Sequence, residues 1–241
     1  MNAAPAPIPV PPARCHALLP CAGTVSRAGT AVPKQYQPVA GRPLVLHTLD
    51  ALRAVPRIQR VLVVVAPDDA QWPAADAGDR TEVVPCGGAS RAQSVFNGLS
   101  ALRQQGVPDD DWVLVHDAAR CLVTPGEINA LIDACLNDPV GGLLALPLPD
   151  TLKAESGGRV QQTIDRAHKW LAQTPQMFRL GALHGALQAV QAQGFAGITD
   201  EASAMERQGL QPRLVEGRAS NIKVTYPHDF ALAEAILRSR T

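Results

Sequence analysis

The stretch HALLPCAGTVSRAGTAVPKQY, residues 16–36, joins a short apolar run to a loop of small residues that carries two cations. Residues 17–19 predict a buried strand, and Pro33 stiffens the chain just before Lys34, the second cation after Arg27. Small residues let backbone N–H groups approach an anion, while arginine and lysine offset the charge of a polyphosphate. The stretch therefore predicts a phosphate-binding loop that follows a strand.

Two better-known phosphate loops do not match this stretch. In a Walker loop, the second glycine would come five residues after Gly23, but Gly29 stands one position too late and is followed by Thr30. In the dinucleotide fingerprint, Val25 and Ala28 occupy the places of the second and third glycines. On these residues alone, an ordinary glycine-containing turn between a strand and a helix remains an alternative.

Short apolar runs alternate with helical spacing along the rest of the chain, which favours a doubly wound, mostly parallel, Rossmann-like α/β sheet. Three polar or glycine-rich clusters, residues 21–34, 86–91 and 116–120, each follow a predicted strand. In such sheets ligands bind beyond the carboxyl ends of the strands, so we expect one site along that edge. The predicted strands after the first are 61–65, 81–85, 112–115, 143–146, 214–215 and 222–224. The predicted helices are 43–54, 90–104, 124–136, 180–193, 199–208 and a last one after Pro227, with capping boxes at 90–93 and 124–127.

Length and charge fit one domain of this kind. The chain has 241 residues, and its Lys+Arg and Asp+Glu totals are both 22. No net charge therefore attracts nucleic acid or an acidic membrane, and the longest apolar runs are too short to span a bilayer. We expect residues 15–241 to form a single domain after a disordered, Pro- and Ala-rich leader at residues 1–14.

The cysteines give no sign of a metal site. Cys15, Cys21, Cys86, Cys121 and Cys135 lack the C-x-x-C spacing of a zinc site. Reduced, mostly buried thiols in a cytoplasmic enzyme are the simplest interpretation.

Residues 149–170 interrupt the alternation of strands and helices. Gly157 and Gly158 lie between two polar, partly alternating stretches, which predicts a β-hairpin. Because an isolated hairpin with so little apolar surface seldom folds alone, we expect this arm to project from the sheet and to pair with a second subunit in a homodimer.

Asp117 directly follows an apolar strand at the expected ligand edge. A carboxylate there can hold Mg²⁺ beside a triphosphate, because magnesium commonly takes one or two protein carboxylates with phosphate oxygens and water. Capping of the next turn is the alternative. For Arg120, binding a phosphate and pairing with Asp117 are equal alternatives. His116 is interpreted as a structural histidine rather than a base.

Two further segments carry candidate binding residues. Gly87 and Gly88 allow the backbone to approach a flat base, whose edge Ser94 could hydrogen-bond, although a tight turn before a capped helix explains them equally well. Lys223 lies in a predicted short apolar strand, where a buried ammonium needs an anion nearby. An edge-strand lysine with its head in water is the alternative.

Five motifs carry a resemblance to a known family: PKQY at 33–36, HDAAR at 116–120, TPQ at 174–176, TDEASAMER at 199–207 and EGRASNIKVT at 216–225. In this order they resemble the 2-C-methyl-D-erythritol 4-phosphate cytidylyltransferases, the CTP-dependent enzymes of the non-mevalonate isoprenoid pathway. The resemblance covers residues 15–238 and implies a nucleotidyltransferase-type sheet.

The resemblance also implies roles for particular residues. Three cations, Arg27, Lys34 and Lys223, would act at the α-phosphate of CTP, and Asp117 would bind Mg²⁺. The implied nucleotide-binding residues are Cys21, Ala22, Gly23, Gly88, Ala89, Ser94 and Ala118. The implied contacts with methylerythritol phosphate are Arg120, Thr151, Arg166 and Thr199, with Thr151 and Arg166 reaching the neighbouring subunit of the dimer.

Two positions depart from the family pattern. Val25 stands where the family usually has a second glycine after Gly23, and a β-branched residue resists positive φ and adds bulk near the phosphates. Ala89 stands where an acidic residue is common, so any contact with the base there must come from the backbone.

The reaction that the resemblance implies is attack by a phosphate oxygen of methylerythritol phosphate on the α-phosphorus of CTP, with pyrophosphate leaving. The nucleophile is already ionised, so catalysis rests on positioning and charge stabilisation. Two other functions stay open. A ribitol-5-phosphate cytidylyltransferase would differ only in the acceptor pocket, and Val25 is the reason to consider a CTP-binding regulatory module without turnover.

Overall fold

A seven-stranded sheet organises the part of the chain that the structure, a computed structural model, describes: residues 13–23, 32–73 and 78–240. The strands are β1 (Cys15–Pro20), β2 (Pro38–Val39), β3 (Arg42–Pro43), β4 (Ile58–Val64), β5 (Thr81–Val84), β6 (Trp112–Val115), β7 (Gly141–Pro147), β8 (Leu152–Ser156), β9 (Arg159–Ile164), β10 (Trp170–Arg179) and β11 (Arg213–Glu216). The helices are α1 (Leu44–Arg53), α2 (Arg91–Gln104), α3 (Pro125–Cys135), α4 (Leu180–Gln191), α5 (Glu201–Glu206) and α6 (Pro227–Arg238). The sheet order is β11-β7-β10-β6-β1-β4-β5, and only β10 runs antiparallel to its neighbours. The expected doubly wound, mostly parallel α/β sheet is confirmed.

The central strand β1 is covered on both faces. Leu18 packs into one hydrophobic cluster with residues of α2 and α4, whereas Ala17 and Leu19 pack into another with residues of α1 and α3. Alternate side chains of a strand point to opposite faces, so a strand between two helical layers needs apolar residues throughout. The unbroken apolar run 17–19 meets that need.

Helix starts follow the capping residues. Thr124 and Glu127 form a complete capping box at α3. At α2 the Ser90 side chain accepts a hydrogen bond from the Gln93 N–H. The Gln93 side chain accepts from the Ala89 N–H instead of the Ser90 N–H, so the capping box predicted at 90–93 is only half formed. Asp200 caps α5, which is shorter than the helix predicted at 199–208.

Strand β10 was not predicted as a strand. It carries Gln173, Thr174 and Gln176, all buried, and a cis peptide bond joins Thr174 to Pro175. Polar residues and a proline normally argue against a central strand. Here the side chain of Gln176 donates to Asp200 and accepts from the backbone of Ala202, so the strand attaches α5 to the sheet.

The predicted arm forms a β-hairpin of β8 and β9 outside the main sheet. Gly157 and Gly158 make the turn with φ of 59° and 77°, a backbone region that glycine adopts readily. Val160 on the arm is 65% exposed, and Trp170 and Leu171 just beyond it are 39% and 48% exposed. The hairpin thus adds apolar surface to the outside of the fold.

The strand predicted at 222–224 is wrong. The segment has no regular secondary structure and joins no sheet, and a hydrogen bond from the Val224 N–H to the Ala119 carbonyl links it to the neighbouring loop. Lys223 is therefore carried by a loop that crosses the carboxyl edge of the sheet. Its apolar neighbour Val224 is buried in a small cluster with α6 residues rather than in a strand.

Two sequence predictions lie mostly or wholly outside the described residues: the leader at 1–14, of which only residues 13 and 14 are described, and the loop residues Val25 and Arg27. Among the described helices, none combines the length and the apolar character needed to cross a bilayer.

Candidate active site

A cleft of about 840 Å³ lies at the carboxyl ends of β1, β4, β5 and β6, on the edge predicted for the ligand. It brings together ten of the site residues expected from the sequence: Cys21, Ala22, Gly23, Lys34, Gly88, Ala89, Ser94, Asp117, Ala118 and Lys223. Their individual roles stay predictions. The structure also adds Gln35, Asp68 and Arg91 to the lining, which the sequence had not singled out as site residues.

Lys34 opens a 3₁₀ turn that two side-chain contacts fix against the sheet. The Gln35 side chain donates from Nε2 to the carbonyls of Cys21 and Gly23, at 3.0 and 2.9 Å. The Tyr36 hydroxyl donates to Asp69 at 2.6 Å. The Gln35 amide thereby ties the turn that carries Lys34 to the start of the small-residue loop, and Lys34 lines the cleft.

The loop after β5 needs both of its glycines. A Cβ on Gly87 would clash with that of Ala22 and lie 2.8 Å from the carbonyl oxygen of Val65. A Cβ on Gly88 would overlap the side chain of Gln93. Gly87 thus lets this loop run directly beside Ala22 at the end of β1, and Gly88 lets it pass close to the side chain of Gln93.

Hydrogen bonds already engage much of this loop. Ser94 Oγ accepts from the Gly88 N–H and donates to the Ser90 carbonyl, both at 3.0 Å. Ser94 therefore keeps one lone pair to accept a further hydrogen bond. The Ala89 N–H donates to Gln93 Oε1 at 3.0 Å. A backbone contact from Ala89 to a base would accordingly come from its carbonyl, or would require the amide to leave Gln93.

Asp117 is held between two cations. Arg91 Nε donates to its Oδ1 and Lys223 Nζ lies next to its Oδ2, each at 2.7 Å. Its backbone N–H donates to the hydroxyl of Thr174 at 3.0 Å. Burial alone would raise the pKa of Asp117, but the charges of Arg91 and Lys223 outweigh burial and hold it far below its ordinary value. Asp117 is therefore a fixed negative charge at any working pH.

Arg120 does not pair with Asp117. Its guanidinium donates to the carbonyls of Asn221 at 2.6 Å and Ala172 at 3.2 Å, and its Nε has no hydrogen-bond partner among the described residues. Burial lowers its pKa, which the negative charge of Asp117 partly opposes. Of the two sequence alternatives, pairing with Asp117 is therefore not observed, and binding of an anionic substrate stays a prediction.

His116 is fully buried beneath the site. Its Nε2 is 3.1 Å from the Arg120 carbonyl, which can only accept, so Nε2 carries the proton and Nδ1 accepts from the Thr174 hydroxyl at 3.0 Å. Burial lowers its pKa to about 4. A neutral histidine bonded at both nitrogens supports the structural interpretation over that of a base.

The four residues expected to bind the acceptor lie outside the cleft lining of this chain: Arg120, Thr151, Arg166 and Thr199. Thr151 directly precedes β8 and Arg166 follows β9, both exposed on the arm. Thr199 directly precedes the cap of α5. The cleft thus groups the nucleotide residues, and Arg120 directly follows its lining residue Ala119, but none of the four acceptor residues belongs to the lining itself.

Small-residue loops, lysines and a carboxylate meet at the carboxyl edge of a mostly parallel sheet, an arrangement that suits a nucleotidyltransferase. A sequence profile of the 2-C-methyl-D-erythritol 4-phosphate cytidylyltransferases (IspD) matches residues 15–239. The chain belongs to this family, as its five motifs predicted.

Known relatives agree with this assignment. The chain is 64% identical over 229 residues to the bifunctional enzyme IspD/IspF of Albidiferax ferrireducens, covering 95% of this chain but only 54% of that relative's length. It is 56% identical to the 2-C-methyl-D-erythritol 4-phosphate cytidylyltransferase of Laribacter hongkongensis, covering 93% of this chain and 96% of the relative. A solved structure of a 4-diphosphocytidyl-2C-methyl-D-erythritol synthase superimposes with a TM-score of 0.83 at 36% identity, covering 93% of this chain and 99% of that one.

Proposed function

We propose that this protein transfers CMP from CTP to 2-C-methyl-D-erythritol 4-phosphate, giving 4-diphosphocytidyl-2-C-methyl-D-erythritol and pyrophosphate in isoprenoid biosynthesis. The observation that carries this proposal is the convergence of Lys34, Asp117 and Lys223 with the loop after β5 on one cleft. Its family membership supports the same reaction.

In this proposal the chain contributes positioning and positive charge. The loop after β5 holds the cytosine, and the loop after β1 holds the triphosphate near Lys34. Lys34 and Lys223 then face the α-phosphate, where charge accumulates as the acceptor phosphate attacks. At an effective dielectric constant of about 20, one cation about 4 Å from a developing charge contributes about 4 kcal/mol before desolvation costs. Arg27 keeps its predicted role in the loop outside the described residues.

Magnesium fits the donors that line the cleft. The carboxylates of Asp117 and Asp68 both lie in the lining, and Mg²⁺ prefers oxygen ligands, commonly one or two carboxylates with phosphate oxygens and water. No group of three or more metal-binding side chains occurs among the described residues, which suits a metal held largely by the nucleotide. Bound there by Asp117, magnesium would neutralise charge on the triphosphate.

A homodimer through the arm at 149–170 would complete the acceptor site. Thr151 and Arg166 lie on the arm, at the two ends of the hairpin, and neither lines the cleft of its own chain. Val160 of the hairpin and Trp170 and Leu171 at the start of β10 are exposed apolar side chains that a second subunit can cover. Each arm would carry Thr151 and Arg166 to the cleft of the neighbouring subunit.

The thiols support the proposed cytoplasmic location. All five cysteines fall within the described residues, and all are free. Free thiols that persist are typical of a reducing compartment.

Release of pyrophosphate from CTP and methylerythritol phosphate, with Mg²⁺ present, tests the proposal directly. The same assay with ribitol 5-phosphate separates the alternative acceptor, and preference for it would overturn the substrate assignment. Binding of CTP without turnover on either acceptor would instead favour a regulatory module.

A further inference from the structure

We propose that Arg91 and Glu201 are a positioning pair that sets the orientation of the Asp117 carboxylate, an inference that rests on the proposed function. Arg91 is the first residue of α2, and Glu201 is the first residue of α5. Arg91 donates from Nη1 and Nη2 to the two oxygens of Glu201, at 2.7 and 3.1 Å, and from Nε to Asp117 at 2.7 Å. One guanidinium thus joins two carboxylates that belong to different elements.

The geometry suits arginine alone. Arg91 uses three N–H groups in one plane, two on Glu201 and one on Asp117. A lysine has a single point of charge and cannot form this fork. Glu201 is 2% exposed, so its carboxylate requires a cation at this position, and Arg91 supplies it. Both charges raise the pKa of Arg91 against the lowering effect of burial, which keeps the guanidinium charged.

The two cations on Asp117 consequently differ in kind. Arg91 is fixed from behind by Glu201 and holds Oδ1. Lys223 holds Oδ2 from the solvent side, with 45% of its side chain exposed. Arg91 and Glu201 therefore set the orientation of the carboxylate, and Lys223 contacts its other oxygen. Glu201 in turn follows Thr199 by two residues, so the same ion pair connects α5 to the nucleotide site.

Charge balance separates positioning from mere structural support. Arg91→Met leaves Glu201 buried without a cation, which should lower both stability and turnover. The double variant Arg91→Met/Glu201→Gln removes both charges of the pair, so the buried carboxylate no longer opposes folding. Asp117 nevertheless lacks its anchor in both variants. If the pair positions Asp117, the double variant should therefore regain stability but not turnover.

The experiment measures kcat, KM for CTP and the midpoint of thermal unfolding for the wild type and these variants. We expect the double variant to regain most of the unfolding midpoint that Arg91→Met loses, while kcat stays about 100-fold below the wild type. Recovery of kcat together with the midpoint would overturn the proposal. Arg103→Met is the matched control, because Arg103 makes a similar fork on Asp109 outside the cleft, and its kcat should be unchanged.

Arg91→Lys keeps a positive charge between the carboxylates and provides a test that does not depend on the double variant folding. Its kcat should fall about 10-fold with KM for CTP within about twofold of the wild type. A wild-type kcat in Arg91→Lys would likewise contradict the positioning role of Arg91 and Glu201. A wild type that releases no pyrophosphate from CTP and methylerythritol phosphate would instead contradict the proposed function, so the two failures are distinguishable.

Discussion

Lys223 Nζ lies 2.7 Å from Asp117 Oδ2 although the two residues come from separate loops at the carboxyl edge of the sheet. Asp117 follows β6, whereas Lys223 belongs to the loop between β11 and α6. The buried carboxylate therefore fixes where the lysine head lies, while the lysine stem remains half in solvent. A cation held in this way is available to a phosphate without the cost of burying it alone.

Removing this lysine should impair chemistry far more than folding. We expect Lys223→Ala to lower kcat by a factor on the order of 10²–10³, because it removes one cation from the developing charge on the α-phosphate. The unfolding midpoint should fall less than in Arg91→Met, because the buried Asp117 keeps Arg91 as its partner cation. Pyrophosphate release and thermal unfolding measure the two effects. Arg238→Ala, an exposed cation of α6, is the control, and near-normal turnover in Lys223→Ala would contradict the assignment.

Gln35 should prove necessary for CTP binding although it carries no charge. Gln35→Glu replaces the amide that donates to the carbonyls of Cys21 and Gly23 with an acceptor. We expect a loss of about 1–3 kcal/mol in the free energy of unfolding, because two partly buried carbonyls lose their donor, together with a raised KM for CTP. Denaturant unfolding and steady-state kinetics check both. Gln37→Glu should have a much smaller effect, because the Gln37 amide makes only an exposed bond to Val32. Equal effects in both variants would contradict the role of the Gln35 amide in holding the loop.

Gly87 should tolerate no side chain. In Gly87→Ala the new methyl group would meet the Cβ of Ala22 and the carbonyl of Val65, neither of which can move without shifting a strand end. We expect a destabilisation of about 1–3 kcal/mol and weaker CTP binding, measured by denaturant unfolding and calorimetry. Gly126→Ala in the first turn of α3 is the control, since the nearest atom to its Cβ would be 3.9 Å away. Wild-type CTP affinity in Gly87→Ala would contradict this prediction, because it would mean that the loop accommodates a Cβ at residue 87.

His16 should make stability depend on pH. It is buried, with Nε2 3.0 Å from Asp111 Oδ2, and burial lowers its pKa despite the opposing effect of Asp111. Below about pH 6.5 the unfolded chain takes up a proton that the folded chain binds only at lower pH, so the free energy of unfolding should decrease as the pH falls. In His16→Gln, which cannot titrate, the decrease between pH 7.5 and 5.5 should be smaller.

Urea unfolding at several pH values measures this slope. His228→Gln is the matched control, because the His228 side chain is 80% exposed, and its slope should equal that of the wild type. An unchanged slope in His16→Gln would mean that other groups control the pH dependence.

The sequence predicted the parallel part of the fold well for a physical reason. The central strands are buried on both faces, so they appear as unbroken apolar runs such as 112–115, which matches β6 at both ends. Glycines and charged residues directly after these runs then indicated the ligand edge. The capping residue Thr124 also marked the start of α3, because side-chain caps act within a few residues of the chain.

The contacts that the sequence did not predict depend on residues distant in the chain. Gln176 is polar, yet it is buried in β10 because its amide bonds to the start of α5. Arg91 was interpreted only as part of a helix start, and nothing local indicates that Glu201 and Asp117 converge on it. Lys223 was assigned to a strand because of its apolar neighbours, but Val224 is buried against α6 instead. A hydrophobic pattern with a period of two or of 3.6 residues does not indicate which distant residues will pair.

The central position of β1 has a consequence for how the chain is made. Cys15 of β1 pairs with Ile58 on one side and with Trp112 on the other, so β1 cannot complete its ladder until β6 has also been synthesised. During that interval an apolar segment has no partner along one side. Parallel pairing across such separations is slow and exposes the chain to aggregation. Refolding from denaturant should accordingly give lower yields as the protein concentration rises.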